Sequence, residues 1–98
     1  MAEETMELGG SIKLAGFREL DPGRLVVVKK VVGNYVRKIE ERHKDFKEIY
    51  IHLKKVHNSE YEIQVNALIG SEHKNAEVTD FNLFFALDKA LGRVLSGD

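Results

Sequence analysis

Three cations recur at a seven-residue interval: Lys30, Arg37 and Lys44. On a helix turning about 100° per residue, that interval returns to nearly the same side. A row of Lys and Arg on one flank is phosphate-binding chemistry. It neutralises anions, and on nucleic acid it releases counterions. An ordinary solvated helix face carries the same pattern, so the row has two readings. Lys29 and Lys38 stand beside it, Lys54 and Lys55 follow in a later segment, and Lys89 and Arg93 are four apart near the end. Together Lys29, Lys30, Arg37, Lys38, Lys44, Lys54, Lys55, Lys89 and Arg93 form the candidate RNA-binding set.

Other chemistry finds little support. The chain has no cysteine, which excludes a disulfide framework, a thiolate metal site and a cysteine nucleophile. No serine stands with a histidine and an acid in a recognisable nucleophile motif. His43, His52, His57 and His73 follow no zinc or carboxylate spacing. On extended chain His52 and His57 differ in parity and point to opposite faces. His43 lies at the end of an apolar stripe and reads as a partly buried packing residue. Gly9-Gly10 precedes a strand rather than a helix, so it is no phosphate loop. The expectation is a protein that is not an enzyme, with no catalytic, cofactor or metal residues and no cofactor.

The formal net charge of -1 over 98 residues does not announce a nucleic-acid binder. The charge is segregated, however. Most of the candidate cations fall in the first two-thirds, while acids gather at Glu3, Glu4, Glu7, Glu60, Glu62, Glu72 and Glu77. For phosphate binding the local patch matters more than the total. This length supports one domain whose core needs no covalent staple. No apolar run reaches the length of a membrane span. The opening Met1-Ala2-Glu3-Glu4-Thr5 is acidic where a signal peptide is basic. A cytoplasmic protein without a membrane partner is expected.

The elements that position the cations follow from periodicity. Residues 1–10 show no clear pattern and read as a flexible tail, bounded by Gly9-Gly10. Ser11 to Phe17 alternates and reads as a strand. Asp21 to Lys44 reads as one amphipathic helix. Asp21 caps it, Pro22 sits where its missing N–H does no harm, and Leu25, Val28, Val32, Tyr35, Val36 and Ile39 form its apolar stripe. Gly33 in its middle is either a concession or a point of close approach. Glu48 to Val56 alternates, with Ile49, Ile51 and Leu53 inward. A turn over His57 to Glu60 leads to Tyr61–Ile69, the clearest strand, with Tyr61, Ile63, Val65, Ala67 and Ile69 inward. After a turn at Gly70 to Glu72, Lys74 to Thr79 gives a last strand. Asp80 is the expected cap of a second helix, Phe81 to Leu95, closed by Gly97.

The order βαβββα predicts a two-layer α+β domain over residues 11–96: a four-stranded mixed sheet with two helices on one face. The first two strands are joined through a helix and so run parallel; the last three form an antiparallel meander. Side by side, the helices would bring Lys30, Arg37, Lys44, Lys89 and Arg93 to one groove, with Lys54 and Lys55 at its end. Outward sheet positions are Glu62, Gln64, Asn66 and Glu77, with Tyr50 the only ring in the middle. That argues against base stacking of the RRM kind on the sheet. Phe81, Phe84 and Phe85 cannot all face one side, so at least one ring is exposed, a candidate self-association patch.

This order, with several local strings, resembles the ribosome hibernation factors of the ribosome-associated inhibitor Y family. Asn82-Leu83-Phe84-Phe85-Ala86-Leu87-Asp88 is similar to the family's Asp-Met-Tyr-Ala-Ala-Ile-Asp. Lys38-Ile39-Glu40 is similar to its Lys-Leu-Glu in the first helix, and the opening strand ends on Gly16 as in the family. The likeness runs from Ile12 to Leu95. Phe17 intervenes before Arg18, Asp21-Pro22 replaces the family's helix-start Thr, and nothing corresponds to the dimerisation domain of long members. The resemblance implies a short-form translation regulator acting under stress, partnered with the small ribosomal subunit and its rRNA through a basic helix face. The alternative is a small protein-interaction or homodimerising domain with no nucleic-acid role.

Overall fold

The computed structural model describes residues 5–56 and 59–96. Its elements are β1 (Thr5–Leu8), β2 (Ile12–Ala15), α1 (Pro22–Arg42), β3 (Phe46–Lys55), β4 (Tyr61–Ile69), β5 (Glu72–Asp80) and α2 (Leu83–Ser96). The strands form one mixed sheet in the order β1-β2-β3-β4-β5. β2 and β3 pair in parallel across the α1 crossover, and β3, β4 and β5 form the expected antiparallel meander. Beneath the helices a single core joins both layers. It includes Leu14, Ile51 and Ile63 of the sheet, Val28, Val32 and Ile39 of α1, and Leu87 and Leu91 of α2.

The expected four-stranded sheet is corrected to five. Thr5–Leu8, read as tail, is β1, antiparallel to β2 with Leu8 opposite Ile12. Gly9 and Gly10 are the reason: both adopt positive φ, +70° and +83°, which a tight reversal needs and which glycine adopts at little steric cost. The alternation in Thr5-Met6-Glu7-Leu8 then puts Met6 and Leu8 against the core. Residues 1–4 of the expected tail, 57–58 of the expected turn and the closing Gly97 lie outside the described residues.

α1 starts as its sequence dictates. Asp21 Oδ2 accepts a hydrogen bond from Arg24 N–H at 3.0 Å, and Pro22 opens the helix. It ends two residues short of Lys44. His43 is extended (φ -117°, ψ 94°) and its N–H returns to Ile39 O at 2.7 Å. Lys44 therefore lies in the α1–β3 turn, off the helical row of Lys30 and Arg37. Asp45 then anchors a second turn: Gly70 N–H donates to Asp45 O at 2.8 Å. Gly70 has φ +64°, and a Cβ there would meet Asp45 Oδ2 at 2.5 Å. The backbone angle and the close approach both call for glycine.

The expected cap of α2 is also corrected. Asp80 closes β5, and its Oδ1 accepts from Asn82 N–H at 2.8 Å. Asn82 is the cap, its Oδ1 accepting from Phe85 N–H at 3.0 Å. An Asn with this reach satisfies a free first-turn donor, so the helix begins at Leu83. Of the three rings there, Phe84 packs on the core while Phe81 and Phe85 are 64% and 51% exposed.

Candidate nucleic-acid interface

The nine candidate cations are all exposed. None forms an ion pair among the described residues, where Asp21 pairs with Arg24 and Glu72 with Lys74. Their charge is thus available to an anion rather than spent on internal pairing. α1 alone carries Arg24, Lys29, Lys30, Arg37, Lys38 and Arg42 against Glu40 and Glu41. On α2, Lys89 and Arg93 stand against Asp88. The helix layer is therefore basic although the chain is not.

The cations do not converge on one groove between the helices. Tyr35 marks the flank of α1 that meets α2: its hydroxyl donates to Asp88 Oδ1. Burial and this hydrogen bond push the phenol up to about 12, the hydrogen bond being the larger cause. On the same flank Arg42 Nη1 donates to Leu95 O at 3.2 Å, and His43 Nε2 lies 3.3 Å from that oxygen. Tyr35 to Asp88 and Arg42 to Leu95 both span 53 residues, so the helices run parallel in register. Counting about 100° per residue, Lys30 and Arg37 sit roughly 140° and 160° round from Tyr35, on the side away from α2.

Lys89 and Arg93 are likewise turned from α1. Arg93 Nη1 donates to Glu77 O at 3.3 Å, which fixes this flank of α2 over β5. The expected single groove is replaced by separate basic surfaces, because each helix uses its facing flank for tyrosine, aspartate and capping contacts. Lys38 is the one candidate on the α2-facing flank, with its Nζ 5.5 Å from the Tyr35 ring centroid. Lys54 and Lys55 end β3 near the start of α1. There Arg24 Nη1 donates to the hydroxyl of Tyr61, the residue paired with Lys55. Lys44 lies at the opposite end of β3, and Lys29 is exposed on α1 beside Lys30.

Several working residues were not signalled by charge spacing. Arg24 both pairs with Asp21, at 2.8 Å, and ties α1 to Tyr61. The main-chain and then the side-chain hydrogen bonds from Arg24 hold the Asp21 carboxyl below its usual range. Arg42 and His43 dock the end of α2; a cation at a helix C-terminus is the hint a sequence offers for that. His43 is half-buried, in line with the packing role expected of it.

The sheet's other face is polar. Lys13, Tyr50, Asn66 and Asn75 align across β2 to β5, and His52 lies beside Tyr50 with ring centroids 6.5 Å apart. Hollows of about 510 and 520 Å³ flank Tyr50, with Gln64, Asn66, Asn75 and Glu77 on one side and Thr5, Glu7, Lys13 and Glu48 on the other. Acids dominate their charge, which suits no phosphate. Among the described residues no group of three metal-ligating side chains gathers, and no helix is long and apolar enough to cross a membrane.

No protein-family profile and no curated protein matches this chain. Solved structures do. The fold is similar to the Protein Y N-terminal domain of Thermus thermophilus, with TM-score 0.62 and 15% identity over 72% of this chain and 78% of that one. It is also similar to a ribosomal subunit interface protein from Coxiella burnetii, with TM-score 0.62 and 11% identity over 81% of each chain. These likenesses agree with the family resemblance carried by the residues of α1 and α2. At these identities what is shared is the fold.

Proposed function

We propose that this chain is a ribosome-binding regulator of translation that contacts small-subunit rRNA through its helix layer. The observation that carries the reading is the set of exposed cations without ion pairs on that layer and at the ends of the sheet, borne by a fold similar to that of a ribosomal subunit interface protein. Lys and Arg side chains on helices and turns grip phosphate without reading base sequence, which suits a structured RNA. Occupying the subunit surface would hold translation back, the role the family resemblance implies under stress. The site proposed is Lys29, Lys30, Arg37 and Lys38 of α1, Lys44, Lys54 and Lys55 at the sheet ends, and Lys89 and Arg93 of α2. Such a protein works in the cytoplasm and needs no cofactor.

The test is sedimentation of the purified chain with small subunits through a density gradient at low salt. Co-migration is expected. A protein that stays at the top contradicts the reading.

The exposed rings of Phe81 and Phe85 favour a second reading, a homodimer built on that patch. Light scattering at high concentration decides it, since a strictly monomeric species removes it.

A further inference from the structure

One flank of α2 carries a row that the cation set alone does not explain. Phe85, Lys89 and Arg93 recur every four residues along the helix, and Phe81 stands one further step ahead, just before the Asn82 cap. Each helical step advances about 6 Å. Phe85, Lys89 and Arg93 are exposed, and the row turns away from α1 along its length. Counting about 100° per residue, Phe85 sits roughly 60° and Arg93 roughly 140° round from Asp88, which meets Tyr35, while Arg93 reaches the main chain of β5. On this flank Phe85, 51% accessible, is followed by two exposed cations, and Phe81, 64% accessible, lies in the segment just before the cap. Lys89 Nζ lies 5.6 Å from the centroid of Phe85, over one face of the ring, which leaves the other face for a base.

We propose that this row is a site for unpaired nucleotides of single-stranded RNA, with bases stacked on Phe85 and Phe81 and phosphates against Lys89 and Arg93. Aromatic faces followed by cations are what a single strand needs, because every base has a π-face and every linkage a charge. Phenylalanine has no polar tip, so stacking is the interaction it can offer a base. In a duplex the base faces are covered by their neighbours, so the rings select unpaired nucleotides. A protein partner fits less well. The ring pair continues into cations rather than apolar residues, and the other large exposed apolar side chains, Val26, Val27 and Tyr50, lie on α1 and β3. The site rests on the RNA-binding reading for the class of its ligand and shares Lys89 and Arg93 with the larger cation set, but it includes neither Lys30 nor Arg37.

The experiment titrates the full chain into a short single-stranded RNA containing 2-aminopurine, and into the same strand annealed to its complement. Fluorescence change with the single strand is expected, with affinity at least about tenfold weaker for the duplex. Phe81→Leu with Phe85→Leu should weaken single-strand binding at least about fivefold and remove the fluorescence change. Lys89→Gln with Arg93→Gln should weaken binding and flatten its salt dependence, yet keep the fluorescence change at saturation. Melting curves confirm that each variant folds. Equal affinity for both RNA forms, no binding of the single strand, or an unchanged signal in the leucine variant overturns the site. So does a leucine variant that loses a dimer in light scattering while RNA binding stays intact. Loss of small-subunit binding in Lys30→Glu with Arg37→Glu, with single-strand binding kept, separates this site from the larger reading.

Discussion

The two faces of this domain treat charge differently. On the open sheet, opposite charges stand across from one another in the strand register, as Glu7 faces Lys13. Gln64 donates to both Glu62, at 2.7 Å, and Glu77, at 3.3 Å, tying neighbouring strands through their polar ends. On the helix layer the cations other than Arg24 stand without carboxylate partners, and the contacts between helices use Tyr35, Asp88, Arg42 and the Leu95 carbonyl instead. A chain of net charge -1 thus presents a basic side. A partner meets the local field, so total charge and pI are poor guides to binding.

The faces share one core, and breaking it should abolish the difference between them at the greatest cost. Leu87 is fully buried between α2 and the sheet. Leu87→Ala is expected to cost about 2–5 kcal/mol, from lost burial and the cavity left behind. Denaturant unfolding followed by circular dichroism measures it, and a loss under about 1 kcal/mol would mean that α2 is poorly seated.

Gly33 lies in the middle of α1. A Cβ there would meet nothing within 4 Å, so the glycine is a concession to no neighbour and marks no close approach. Gly33→Ala should stabilise the domain by about 1 kcal/mol through helix propensity, read as a rise in melting temperature. A fall would reveal a strain in α1 that the added methyl group meets.

The Tyr35–Asp88 link gives a smaller, pH-dependent effect. The folded phenol is pushed up to about 12, above an unfolded value of about 10. Its contribution is whole below about pH 10 and is lost as pH rises towards 12. Tyr35→Phe should cost at most about 1 kcal/mol at neutral pH and make stability less sensitive over that window. Urea melts of both proteins across the range check this, and parallel curves would show that the bond carries no stability.

The layout of the fold was legible because its signals are local. Asp21-Pro22 announces the start of α1, and alternation in Tyr61–Ile69 gives a strand whose Ile63, Val65, Ala67 and Ile69 are buried. β1 was missed because four residues are too few for alternation to stand out, although Gly9-Gly10 is also a hairpin signal. Asp80 and Asn82 both suit a cap, and only the position of the first helical turn chooses between them. The site was legible in kind, as cations on exposed helix faces, but not in arrangement. Spacing places Lys30 with Arg37 and Lys89 with Arg93 within each helix. It does not reveal which flank each helix turns to the other, since that depends on tertiary contacts such as Tyr35 with Asp88.

The central claim is that the helix layer, not the sheet, grips ribosomal RNA. Binding to purified small subunits should be measured at two salt concentrations for the natural chain, for Lys30→Glu with Arg37→Glu, and for the sheet-face pair Lys13→Glu with Tyr50→Ala. At least about a tenfold loss and a flatter salt dependence are expected for the helix variant, because fewer counterions are released. Folding should hold in that variant, since exposed substitutions away from caps and core stay within about 0.5 kcal/mol. The sheet variant should bind like the natural chain. Unchanged affinity in the folded helix variant, or a loss confined to the sheet variant, would contradict the account.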